Sequence, residues 1–134
     1  MAHPIMFNEG DPGLADLRRL CTALPEAEEF VSHGRPHFRA GRSGKVFAMY
    51  GGSRKVRPGE HERHDFALLF KPDPAERVAL EQDARFFSPA YVGPYGWLGI
   101  DLDGDGTDWA EIGELVEASY RLVASARLLR ALDQ

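Results

Sequence analysis

Cysteine is nearly missing from this chain. Cys21 is the only one among 134 residues, so no intrachain disulfide can form. Long apolar runs are missing too. The longest, Val46–Tyr50 and Phe66–Phe70, are five residues each, against the roughly twenty that a membrane-spanning helix needs. The opening residues MAHPIMFN carry neither the basic stretch nor the apolar core of a secretory signal. These absences point to a soluble cytoplasmic protein that does not engage a membrane. No internal repeat, low-complexity tract or interdomain linker is visible. A composition of 43% hydrophobic and 28% charged residues excludes a disordered chain. Residues 1–134 are therefore expected to form a single domain, with 1–11 as a loose N-terminal segment.

Positive charge is in short supply overall and unevenly spread. The chain has 16 Lys and Arg against 21 Asp and Glu, a net charge of −5. That balance argues against a nucleic-acid binder that uses its whole surface. Residues 33–64 reverse it. They hold Arg35, Arg39, Arg42, Lys45, Arg54, Lys55, Arg57 and Arg63 against only Glu60 and Glu62, with four of the five histidines as well. Long cationic side chains on protruding backbone are what phosphate contact requires. A solvated basic face that offsets an acidic remainder has the same composition.

Leu14, Leu17, Cys21 and Leu24 recur at helical spacing and predict a helix over about 12–24, ended by Pro25. Short strands are expected at Glu28–His33, Pro36–Ala40 and Lys45–Tyr50. The last two form a hairpin around Gly41-Arg42-Ser43-Gly44. Gly51–Arg63 has Val56 as its one apolar residue and reads as a long exposed loop or wing. Asp65–Lys71 is the most apolar strand. Pro72-Asp73-Pro74 opens a helix running to about Asp83, with Val78 and Leu80 as its apolar face. An apolar connector follows, then a strand at Gly96–Leu102. Asp108 with Glu111 opens the clearest helix, whose expected core face includes Ile112, Leu115, Val116, Leu122 and Val123. Parallel βαβ units do not repeat. The expected class is α+β, a two-layer sandwich with an antiparallel sheet.

Chemistry-bearing motifs are few. Asp101–Thr107 matches the first seven positions of a calcium-binding EF-hand loop. Position eight is Asp108 rather than apolar, and position twelve is Ile112 rather than the bidentate Glu that closes the cage, so no specific calcium site is expected. His33/His37 and His61/His64 lack the ligand spacing of a zinc site. No nucleophile elbow, Walker loop or dinucleotide fingerprint occurs. Cys21 falls on an apolar helix face, where a thiol behaves as a small hydrophobe. No enzyme activity, cofactor or metal is expected.

Five stretches carry a resemblance. They are LRRLCTALP from Leu17, GRPHFRAGRSGKVFA, FALLFK, FSPAYVGPYGWLGIDL and EASYRLVA, together running from about Leu14 to Leu129. In this order they resemble the MmcQ/YjbR-like proteins. The resemblance implies an α+β fold with helices covering one side of the sheet. It also implies DNA binding in a "double wing" arrangement, and it brings no catalytic motif. DNA is thus the expected partner, held without an obligate protein partner, with the eight cations from Arg35 to Arg63 as phosphate contacts. The alternative is a small-molecule or protein-binding module using a groove near His33, His37, Phe38, Tyr91 and Trp97.

Overall fold

Strand alternation sorts this chain's side chains onto two faces of one sheet. The computed structural model describes residues 3–134. Its elements are α1 (Leu14–Thr22), β1 (Ala27–Ser32), β2 (Arg35–Ala40), β3 (Val46–Arg57), β4 (Glu60–Phe70), α2 (Pro74–Glu81), β5 (Phe86–Phe87), a short 3-10 turn (Gly93–Tyr95), β6 (Leu98–Asp101), α3 (Trp109–Val123) and α4 (Ala126–Leu132). The six strands form an antiparallel sheet in the order β1-β2-β3-β4-β6-β5. Two cross-strand rows face the helices: Phe38–Ala48–Phe70–Leu98 and Tyr50–Leu68–Ile100–Phe86. All eight are buried in the core with Leu14, Leu17, Ile112 and Val116. The row between them, Phe30–His37–Met49–Leu69–Gly99–Phe87, points the opposite way. Residues 88–97 run along the wing side, where the Ala90 amide donates to the Ser53 carbonyl at 2.7 Å. The fold is α+β, as expected.

Several boundaries move for local reasons. Helix α1 begins at Leu14 because Gly13, at φ 77°, is its cap. Strand β6 begins at Leu98 because the 3-10 turn and Gly96, at φ 97°, occupy the residues before it. Helix α2 buries no residue, and Val78 is exposed rather than part of an apolar face. Of the segment expected to be loose, Met1 and Ala2 lie outside the described residues. The rest is anchored: the Met6 amide donates to the Gly34 carbonyl at 2.8 Å, and Phe7 packs on the core. Among the described residues no helix is long and apolar enough to cross a membrane.

The main correction concerns the inward face of α3. Asp108 caps it as expected, accepting from the amides of Ala110 and Glu111 at 3.0 and 3.1 Å. The buried residues are Ile112, Val116, Ser119 and Tyr120. Leu115 and Val123 are only partly buried, and Leu122 is exposed. The polar pair sits inside because the strands leave backbone groups that need partners. The Ser119 hydroxyl donates to the Phe47 carbonyl at 2.6 Å and accepts from the Lys71 amide at 3.0 Å. The Tyr120 hydroxyl donates to the Pro25 carbonyl at 2.7 Å.

Two expectations follow. Ile112→Ala should cost about 2–5 kcal/mol in urea denaturation, whereas Leu122→Ala, at an exposed site, should change stability by about half a kcal/mol; equal effects would put the wrong face inward. The second concerns His37, buried in the outward row with a ring nitrogen 3.0 Å from the Arg35 carbonyl. Burial holds its pKa below the ordinary histidine value. The unfolded chain then takes up a proton that the folded chain refuses, so stability should fall as pH drops below about 6.5. His37→Gln should flatten the dependence of melting temperature on pH between about 7.5 and 5. An unchanged slope would contradict this role.

Candidate nucleic-acid interface

The segment expected to be an exposed loop or wing is a wing, the outer half of a β-ribbon. β3 and β4 pair beyond the edge of the core as Gly52↔His64, Ser53↔Arg63, Arg54↔Glu62, Lys55↔His61 and Arg57↔Glu60. Residues 55–63 are exposed on all sides. With no face to bury, the strands carry no apolar alternation, which is why sequence periodicity misses them. The ladder itself and exposed cross-strand ion pairs hold the ribbon: Arg54–Glu62 at 3.3 Å and Arg57–Glu60 at 2.9 Å. The register shifts between Tyr50 and Gly52, where the core half of β3 passes into the wing. Gly51 sits there at φ 88°, and a Cβ would lie 2.9 Å from the Asp65 carbonyl oxygen. Only glycine fits this position without strain.

Between the wing and the β5–β6 side lies a groove of about 970 Å³. Its wing wall carries Arg54, Lys55, His61, Glu62 and His64; its other wall includes Arg85, Phe87, Tyr91 and Asp101. His64 is the hinge pin between the walls. Its ring stacks on Phe87 with centroids 4.0 Å apart. Its Nδ1 lies 2.8 Å from Asp101 and its Nε2 2.7 Å from Glu62. Both nitrogens face carboxylates, so this ring orients the wing. Hydrogen bonds from Arg54 and then His64 hold the Glu62 carboxyl below its ordinary value. Arg85 is tied to Asp83 and Glu111, each at 2.7 Å. Those bonds raise its pKa.

Tyr91 stands at the groove mouth with 79% of its surface exposed. Its ring stacks on His61, with centroids 5.9 Å apart and planes 26° from parallel. Its backbone is at φ 70°, a conformation costing a non-glycine residue roughly 1–3 kcal/mol. Tyr95, 74% exposed, follows four residues later.

The eight cations expected to meet phosphate fall into three places. Arg35 is mostly buried against Asp65 at 2.9 Å, and Arg39 pairs with Glu28 at 3.0 Å while lying over the Phe30 ring. Arg63 also pairs with Asp65, at 3.1 Å. Burial works to raise the Asp65 pKa, but hydrogen bonds from Arg35 and Arg63 outweigh it and hold the carboxyl low. Glu28 and Asp65 lie just outside the basic stretch in sequence, so counting within it missed them. Arg42 and Lys45 are exposed at the β2–β3 turn, beside Arg127 and Leu128 of α4. Arg54, Lys55 and Arg57 are on the wing, at the opposite end of a strand about 35 Å long. The cations therefore do not form one patch. Among the described residues, Arg42, Lys45 and Lys55 are the members of the set without a carboxylate partner.

The alternative groove does not assemble. Phe38 is fully buried on the helix side of the sheet, and His37 is buried on the other side. His33 is exposed beyond the end of β1, its ring 4.9 Å from that of His3 and tilted by 49°. Trp97 is half-buried. Tyr91 alone lines the groove that does exist, with His61, His64, Arg85, Phe87 and Asp101, none of which the sequence reading assigned to it. A strand reading of Glu60–His64 would have set His61 opposite Lys55 and His64 opposite Gly52. No group of three His, Cys, Asp or Glu among the described residues could hold a metal ion. In the acidic turn after β6, Asp101 is engaged by His64 and Asp108 by its helix cap.

Comparison with known proteins supplies the remaining context. The chain is similar to DR2400 of Deinococcus radiodurans, a crystal structure with a DUF419 domain. Identity is 24%, the match covers 83% of this chain and 78% of that one, and the TM-score is 0.61. At that identity the likeness is one of fold. No curated protein matches the chain. The YjbR family model matches residues 22–122. That span takes in the whole sheet, the wing and both walls of the groove, and by it the chain belongs to the YjbR family.

Proposed function

We propose that this protein is a cytoplasmic DNA-binding module, without catalytic activity or an obligate protein partner, that contacts phosphates through the β3–β4 wing. The observation that carries the reading is Lys55, exposed on the wing with no carboxylate partner and flanked by Arg54 and Arg57. The partners of those two arginines are exposed glutamates across the ribbon. Exposed ion pairs of this kind contribute only about 0–1 kcal/mol, so a phosphate can take a glutamate's place at small cost. Binding releases counterions from the polyanion and falls steeply with salt. The net charge of −5 confines attraction to this local surface. Arg35 and Arg39, already paired and partly buried, are left out of the contact set, and Arg42 and Lys45 form a separate basic spot. The groove's volume also lies at the upper end of the roughly 300–1,000 Å³ of small-molecule sites, so a small planar anion is the second reading.

Replacing Arg54, Lys55 and Arg57 together with Ala tests the proposal by fluorescence anisotropy on labelled duplexes. Affinity should drop about equally across sequences, and the log-affinity against log-salt slope should flatten by about 0.9 for each phosphate that is no longer neutralised. The melting temperature should hardly move, because all three are away from the core. Wild-type protein that binds neither duplex nor single strand at low salt would refute the proposal and leave the small-anion reading.

A further inference from the structure

The groove beneath the wing carries an exposed aromatic ring at its mouth and a cation on its wing wall. We propose that Tyr91 is a stacking platform that selects single-stranded over duplex nucleic acid, an inference that rests on the wing being the phosphate-binding surface. Three features of the groove converge on this. Its size, about 970 Å³, is enough for a few nucleotides. Its mouth displays an aromatic ring that stays mostly exposed despite its contact with His61. Tyr91 is mostly exposed, makes no core contact, and is held at φ 70° where relaxation would turn it elsewhere. Strain of this kind persists where the surroundings enforce it, and it gathers at binding sites. The hydrogen bond that the Ala90 N–H donates to the Ser53 carbonyl and the buried ring of Pro89 pin the segment just before it. Stacking on His61 from the wing sets the ring's orientation.

The third feature is charge placement. Lys55 pairs across the ribbon with His61, the residue that Tyr91 stacks on, so a free cation lies beside the aromatic platform. Strand binders combine these two elements: cations that follow the backbone and rings on which bases stack, with little dependence on base identity. The carboxylates in the groove do not oppose this. Asp101 faces His64. Glu62 bonds His64 through Oε1 and Arg54 through Oε2, so Arg54 can turn to a phosphate while Glu62 keeps a partner. DNA and RNA strands share this chemistry, because no group in the argument reads the 2′-hydroxyl.

The test is fluorescence anisotropy at low salt with labelled oligothymidylate, oligouridylate and a duplex of the same length. Either strand should bind at least about tenfold more tightly than the duplex, and the tighter of the two identifies the source. Tyr91→Ala should weaken strand binding by about 5- to 150-fold, the range that stacking of one base supplies. It should leave duplex binding unchanged. Tyr91→Phe, which keeps the ring and the backbone strain, should bind strands like the wild type. Equal strand and duplex affinities, or strand binding indifferent to Tyr91→Ala, would overturn the stacking role while duplex binding through the wing survived. No binding to any of the three probes would overturn the stacking role and the wing proposal together.

Discussion

The pairing of β3 with β4 is the constraint on which the rest of this structure depends. Its inner half lies at the centre of the sheet, where Ala48, Tyr50, Leu68 and Phe70 face the helices and are fully buried. Its outer half has no core to lean on and is held by the ladder and exposed ion pairs. The two halves meet at Gly51, where a positive φ and a register shift let the ribbon leave the sheet without breaking the pairing. The wing is therefore an extension of the most buried part of the molecule, and its base is as well fixed as the core. His64 braces it against Phe87 and Asp101, and that brace creates the groove.

Electrostatics in this protein are decided by the fold more than by the sequence count. The basic stretch has a large local excess of cations when read along the chain. In space, Glu28 is drawn to Arg39 across the β1–β2 pair, and Asp65 is shared by Arg35 and Arg63. Those ion pairs move Arg35 and Arg39 from the set available to a ligand into the set that holds strands in place, while Arg63, paired within its own strand, stays mostly exposed. What remains free lies at the two ends of β3, too far apart for one compact anion. The wing end has an aromatic groove beside it; the other end has only a shallow hollow against α4. This asymmetry singles out the wing.

Much of the fold was legible in the sequence because burial leaves a periodic trace. The capping residue Asp108, the apolar run Phe66–Phe70 and the Leu14–Leu17–Cys21 stripe each mark an element that the structure contains. The wing was legible as an exposed loop or wing, but its two strands were not, since an exposed two-stranded ribbon has no hydrophobic period to detect. The bonds that Ser119 and Tyr120 make were not legible, because they serve carbonyls and amides that only the tertiary arrangement brings together. The groove was half-legible. Tyr91 was singled out, but its partners His61 and His64 lie about thirty residues away, and only the strand register brings them together.

Backbone NMR of the full chain titrated with oligothymidylate tests the central claim most directly. The account predicts chemical-shift changes confined to Ser53–His64 and Arg85–Asp101, the two walls of the groove. The Arg42–Lys45 turn and the β1–β2 pair should stay still. Changes centred on the β2–β3 turn, or spread over the helix-covered face, would contradict the claim that the wing and its groove are the binding surface.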